Sequence, residues 1–217
     1  MESTLRRGAG APGLRLIETL GWDGTGFARL DLHLARLAGS AVRLGWRCDL
    51  VAVRAALVTA VAKDPARVRL TVDAQGQVEV TVAAMPAAAM QWRVGLAEDR
   101  LSSNDPWLAV KSTRRAVYDT ARAALPPGID EVIFQNERDE VCEGAITSVF
   151  FDAGAGLCTP PLSCGLLPGV LRAQMLATAT VRETLLHTAD LGRVQLWVGN
   201  SLRGLIPALF ERADRVT

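Results

Sequence analysis

The stretch TPPLSCGLLPGVLR, residues 159–172, interrupts an apolar run with three prolines and two glycines. The run then resumes with the spacing of a helix, GVLRAQMLATA. If a helix begins near Gly169, the N–H groups of Gly169, Val170 and Leu171 have no intrahelical acceptor. They sit at the positive end of the helix dipole, where an anion is welcome. Pro168 suits a helix start, and Gly169 lets a ligand come close to the backbone. The same residues also fit an ordinary proline-capped helix, so the turn alone gives a candidate anion site of unknown purpose.

The rest of the chain bounds that purpose. Its 217 residues suffice for one large domain or two small ones. They are 49% hydrophobic and 22% charged, a globular balance. A net charge of +1 supplies no basic field for nucleic acid. No apolar run reaches the length of a membrane span. The N-terminus, MESTLRRGAGAPG, reads as a polar, Gly-rich loose arm with no signal-peptide core, and the expected location is cytoplasmic. Cys48, Cys142, Cys158 and Cys164 form no CxxC pair, and His33 and His187 are isolated, so no metal site is expected and the thiols read as reduced and mostly buried. The GxxxxGK[ST] and GxGxxG nucleotide loops are missing.

Periodicity outlines two lobes. LRLIETLGW (14–22) alternates as a strand, with Leu14, Leu16, Glu18 and Leu20 on one face; FARL is a candidate partner strand after a turn at Gly24–Gly26. Residues 31–46 read as a helix, with Asp31 as N-cap and Gly45 as stop. A second helix covers roughly 50–62. RVRLTVDAQGQVEVTV reads as a hairpin turning at Ala74–Gly76. The small, uncharged AAMPAAAM (83–90) reads as a linker, which divides the chain into lobes 1–86 and 87–217. Beyond it, QWRVGLAE, DEVIFQN, ITSVFFD, TVRETLLH and RVQLWVG are strand candidates, and 112–125 is a helix candidate. Without regular βαβ alternation, the class is α+β.

Three further residues attract attention. Lys111 follows the apolar WLAV and precedes the 112–125 helix; by position it reads as a surface lysine at a helix start. Only two of the 24 basic residues are lysine, however, and arginine cannot attack a carbonyl as an amine can. A desolvated ammonium loses its proton more easily, as such chemistry requires. Glu143, in NERDEVCEGAITSVFF, lies between two strand candidates. It reads either as a solvated edge carboxylate or as the partner of a protonated ring nitrogen. On the first helix His33, Arg36, Ser40 and Arg43 share a polar face. That face reads as solvated, or as presenting Arg36 to a phosphate.

In this order, LIETL…HLARLAGSA, KSTRRAVYD, NERDEVCEGAITSVFF, TPPLSCGLLPGVLR and GNSLRG resemble the class IV aminotransferase family. HLARL, KSTRRAVYD, TPPLSCGLLPG and NSLRG look particularly like its aminodeoxychorismate lyase branch. The resemblance implies a two-lobed, D-amino acid aminotransferase-like fold of fold-type IV. Its N-terminal lobe would be a small α/β sandwich and its C-terminal lobe larger and β-rich. The resemblance also implies pyridoxal 5′-phosphate as cofactor. Lys111 matches the lysine that carries it, Glu143 the carboxylate on the pyridine nitrogen, and Arg36 the phosphate arginine. Val170 and Leu171 match the backbone amides on the phosphate, and Ser201 a hydroxyl position near it. Thr147 and Ser148 stand where the family often has Ser-Asn. Tyr118 is the chain's single tyrosine, seven residues after Lys111, and fits equally a pocket wall or packing. The implied activity is conversion of 4-amino-4-deoxychorismate to 4-aminobenzoate and pyruvate. The alternatives are a branched-chain or D-amino-acid transaminase and a non-catalytic cofactor-binding relative. A small-molecule amino substrate, a homodimer and a functional link to aminodeoxychorismate synthase are implied as partners.

Overall fold

The computed structural model describes residues 2–211. The chain divides into two compact units: the segment through Ala87 with Pro106–Arg114, and Ala88–Asp105 with the chain from Arg115 onward.

The first unit contains α1 (Glu2–Gly8), β1 (Leu16–Trp22), α2 (Leu30–Leu44), α3 (Leu50–Ala60), β2 (Ala66–Val72) and β3 (Val78–Ala84). The strands form an antiparallel sheet in the order β1-β2-β3. In β2, Ala66, Val68, Leu70 and Val72 are buried while Arg67 and Arg69 are exposed, the two-residue period of a half-covered strand. Leu34 and Leu37 of α2 and Val53 and Leu57 of α3 join the buried strand residues in one core. Asp49 caps α3 by accepting from the amides of Val51 and Ala52. Gly45 ends α2 at φ 73°, donating its N–H to the carbonyls of Ala41 and Val42. The β2–β3 hairpin turns at Gly76, φ 83°, with Asp73 Oδ1 accepting from the amides of Gln75 and Gln77.

Three readings of this unit are corrected. The N-terminal segment forms α1, because Leu5 and Ala9 are buried in the core. FARL contributes one bridge, Trp22–Phe27, and then enters α2. Arg29, at φ 57°, occupies the N-cap of α2; Asp31 lies in the first helical turn and pairs with Arg54.

The second unit contains β4 (Trp92–Leu101), α4 (Ala116–Ala123), β5 (Glu131–Asn136), β6 (Val141–Gly144), β7 (Ser148–Asp152), β8 (Cys158–Thr159), α5 (Val170–Ala177), β9 (Arg182–Glu183), β10 (Gln195–Asn200) and β11 (Gly204–Phe210). Its sheet runs β10-β11-β4-β5-β6-β7-β8-β9, and β10 also pairs with β7, so the strands from β10 round to β7 close into a barrel. Closure leaves those strands without an open edge. Val94, Ile133, Val141, Val149, Val198 and Ile206 fill one core. Leu171 and Met175 of α5 pack with Phe150 in another. The architecture is the expected α+β one, with a small N-terminal sheet and a β-rich C-terminal unit.

Several boundaries differ from the sequence reading. The helix expected over 112–125 starts only at Ala116, because residues 111–113 extend along β1: Ile17 N donates to Lys111 O at 2.9 Å, and Thr113 N to Arg15 O at 2.9 Å. These bonds count Pro106–Arg114 with the first unit, where a single boundary after residue 86 was expected. TVRETLLH gives only the two-residue β9. β6 and β11 were not anticipated; β6 is short, and Pro207 removes a ladder donor from β11 opposite Trp197. Among the described residues no helix is long and apolar enough to cross a membrane.

Candidate active site

In the first unit, Glu18 points from β1 toward α2, on the face of Leu16 and Leu20, and is 1% exposed. One turn apart on α2, His33 and Arg36 both reach it. Arg36 donates from Nε to Oε1 at 2.9 Å and from Nη2 to Oε2 at 2.6 Å. His33 Nδ1 lies 2.6 Å from Oε2. Burial raises the Glu18 pKa, but the Arg36 charge and the bonds from His33 and Arg36 outweigh it and hold the carboxyl below its ordinary range. The helix face that read as solvated is therefore turned inward: His33 and Ser40 are buried, and Arg43 donates to the carbonyls of Pro106 and Ala109. Arg43 thus anchors the short 3-10 turn Pro106–Ala109, which leads into Lys111. Lys111 is half-buried on a strand-like segment against β1, one position from the residue bridged to Leu16.

In the second unit, Glu143 lies on β6, inside the barrel sheet and not between strands as expected; it is 6% exposed and pairs in register with Ser148 of β7. Tyr118 of α4 donates its hydroxyl to Glu143 Oε1 at 2.7 Å, and Leu167 donates its amide to Oε2 at 3.2 Å. Burial and the Glu143 charge push the Tyr118 hydroxyl pKa well up, so it stays a donor. The helix expected to begin near Gly169 does so. α5 starts at Val170 behind Gly169, an extended N-cap with no side-chain cap, so its first amides are left to backbone or ligand partners. A Cβ at Gly169 would stand 2.3 Å from Ser148 Oγ, so the backbone there lies directly against the β7 hydroxyl. A Cβ at Gly199 would meet Leu171 Cδ2 at 3.0 Å, which brings β10 and its following turn, with buried Ser201, up to α5.

The structure thus gathers Glu143, Ser148, Val170, Leu171 and Ser201 around β6, β7, β10 and the start of α5. Arg36 and Lys111 belong to the first unit. Sequence reasoning missed Glu18, Glu131 and Asn200 and left Tyr118 undecided. Two of these carried a signal: Glu18 lies on the leucine face of LIETL, and Glu131 opens the otherwise apolar EVIF. The cysteines are free thiols, and burial with the Glu140 charge pushes Cys164 up to about 12, so it offers no thiolate. Among the described residues no group of His, Cys, Asp and Glu is placed to hold a metal ion.

This arrangement suits a flat, anionic, nitrogen-containing ring: a buried carboxylate for a protonated nitrogen, and uncapped helix amides for a phosphate. The family comparison agrees. Residues 15–209 match the model of amino-transferase class IV. The chain belongs to that family, whose enzymes bind pyridoxal phosphate. A provisionally named amino-acid aminotransferase from Mesorhizobium loti is 44% identical, with a TM-score of 0.87, over 91% of this chain and 100% of that one. The 4-amino-4-deoxychorismate lyase of Pseudomonas aeruginosa is 23% identical, with a TM-score of 0.79, over 90% of this chain and 82% of that one. A hypothetical aminotransferase from Mycobacterium tuberculosis, in its PLP-bound form, is 23% identical, with a TM-score of 0.77, over 94% and 84% of the two chains. At 23% identity these two likenesses show the fold alone. No curated protein matches the chain.

Proposed function

We propose that the chain is a pyridoxal-phosphate-dependent amino-acid aminotransferase. The observation that carries this is the 44% identity to the Mesorhizobium protein over the whole of that chain. It favours the transaminase reading over the lyase reading drawn from the motifs. The lyase reading, conversion of aminodeoxychorismate to 4-aminobenzoate and pyruvate, keeps the support of TPPLSCGLLPG and NSLRG.

Pyridoxal phosphate, when bound, supplies an electron sink for the bond broken at the substrate's amino-bearing carbon. The roles proposed for this chain's residues follow from their chemistry. Lys111 would hold the cofactor covalently through Nζ, and its amine, when free, would carry the proton to and from the substrate carbon. Glu143 holds a proton on the ring nitrogen by opposite charge. Val170 and Leu171 donate their amides to the phosphate, Ser201 its hydroxyl, and Arg36 its guanidinium. Glu18 already takes the Nε and Nη2 donors of Arg36, which fixes the plane of the guanidinium. The substrate is a small amino compound, and the working form is a homodimer in the cytoplasm.

The test is a paired assay of cofactor-loaded protein. Amino-group transfer from an amino acid to 2-oxoglutarate is expected. Pyruvate release from aminodeoxychorismate without any keto-acid acceptor, with no transfer, would overturn the transaminase reading and establish the lyase one.

A further inference from the structure

We infer that Glu131 is a positioning residue that holds the Glu143 carboxylate in register with the start of α5. The inference rests on the cofactor reading above and deepens it. Glu131 is fully buried on β5, a costly place for a carboxylate, and burial pushes its pKa up against the donors around it. Those donors are the amides of Val132 and Ile146 at 3.1 Å each, the Thr147 hydroxyl at 3.1 Å and Arg122 Nη1 at 3.3 Å. Two of the four come from the turn at residues 144–147, which joins Glu143 to Ser148. The rest of that turn is equally tied. Gly144 N donates to Thr147 O at 2.8 Å, and Ala145 N to Val132 O at 3.3 Å. Arg115 donates to Ala145 O at 3.0 Å, and Asn200 Nδ2 to Ile146 O at 3.1 Å. A Cβ at Gly144 would fall 2.2 Å from Thr147 Oγ1 and 3.0 Å from Glu131 Oε2, so the turn closes directly onto the buried carboxylate.

One end of this turn is the group proposed for the ring nitrogen. The other is Ser148, whose hydroxyl abuts Gly169, and Asn200, which binds the turn, directly precedes Ser201. The turn therefore sets the spacing between the nitrogen partner and the phosphate donors, and Glu131 is the acceptor on which it closes. In Glu131→Gln one oxygen becomes an amide nitrogen, which must face a backbone N–H donor whichever way the group is turned. The ring-nitrogen and phosphate contacts then no longer fit one rigid ligand together.

The experiment measures pyridoxal phosphate affinity, the pH dependence of the bound cofactor's absorption, and the melting temperature of the cofactor-free protein. Wild type, Glu131→Gln, Thr147→Val and Glu143→Gln are compared. The expected result is a roughly tenfold or larger loss of affinity in Glu131→Gln and a smaller one in Thr147→Val, each with a shifted absorption–pH profile. Lowered melting with unchanged affinity and profile in both variants would make Glu131 merely structural and overturn the inference. Should Glu131→Gln not fold, an unchanged affinity and profile in Thr147→Val overturns it alone. If wild type binds no pyridoxal phosphate, or Glu143→Gln keeps the wild-type profile, the cofactor reading itself falls.

Discussion

The Tyr118 hydroxyl donates a 2.7 Å hydrogen bond to Oε1 of Glu143, and the ring packs edge-on against Phe134 at 5.0 Å. A carboxylate proposed to hold a ring proton is thus itself held, from α4 on one oxygen and from the Leu167 amide on the other. Tyr118→Phe keeps the aromatic packing and removes only the donor. Hydrogen bonds to charged groups contribute about 1.5–3 kcal/mol, so a loss of that order is expected in urea denaturation. Cofactor binding should persist, because Glu143 retains its charge.

Lys111→Ala removes the only amine proposed to bind the cofactor covalently. Turnover should fall by at least about 10²–10⁴-fold, the range for loss of a positioned acid–base group. Borohydride treatment of cofactor-loaded wild type should fix the cofactor to a peptide containing Lys111, and the variant should yield no such peptide. A labelled peptide in the variant would move the role to another residue.

Substitution at Gly144 and Gly169 should separate a packing glycine from one proposed to face the cofactor. Gly144→Ala forces a Cβ against Thr147 Oγ1 and the buried Glu131 carboxylate, and overpacking of this kind costs about 1–3 kcal/mol. Gly169 has φ −63° and ψ 138°, which alanine adopts readily, and its one close neighbour is the small Ser148 hydroxyl. Denaturation should therefore show Gly144→Ala as the more destabilised protein. Gly169→Ala should lose mainly phosphate-dependent cofactor affinity, read by titration with pyridoxal phosphate against pyridoxal.

Glu140 sets an acid limit on stability. Bonds from Arg138 and from Asn136 Nδ2 lower its pKa to about 2. A depressed carboxyl pKa gives stability that is complete above the unfolded value and is lost as pH falls from about 4.5 toward about 2. Melting temperature followed across that window should drop more steeply in wild type than in Glu140→Gln. Parallel curves would show that Glu140 carries no such linkage.

Glu18 and Arg36 form a buried ion pair, with 2% and 10% of their side chains exposed. Glu18→Ala leaves a buried guanidinium without that partner, a change that costs about 3–5 kcal/mol where pairs are broken on one side. The expected readout is a lowered midpoint in denaturant for the cofactor-free protein.

Local pattern carried much of this protein. The alternation of β2, the Gly45 stop and the proline–glycine start of α5 were legible because each depends on a few neighbouring residues and on backbone geometry. The motifs singled out Lys111, Glu143 and Arg36 as the residues proposed to meet the cofactor. What sequence could not supply were relations between distant segments. The 111–113 segment forgoes helix because β1 offers it a hydrogen-bonding edge. The polar face of α2 turns inward because Glu18, on another element, provides the counter-charge. Tyr118 and Glu131 find their hydrogen-bond partners only when α4, β5, β6 and the 144–147 turn meet. Barrel closure, by β10 against β7 and by β11 against β4, likewise depends on strands far apart in the chain. The sequence by itself determined which groups are present and where α3, α5 and the β2–β3 turn begin. Tertiary structure decided which buried charges meet, because desolvating a charge is tolerable only where folding brings its partner to it.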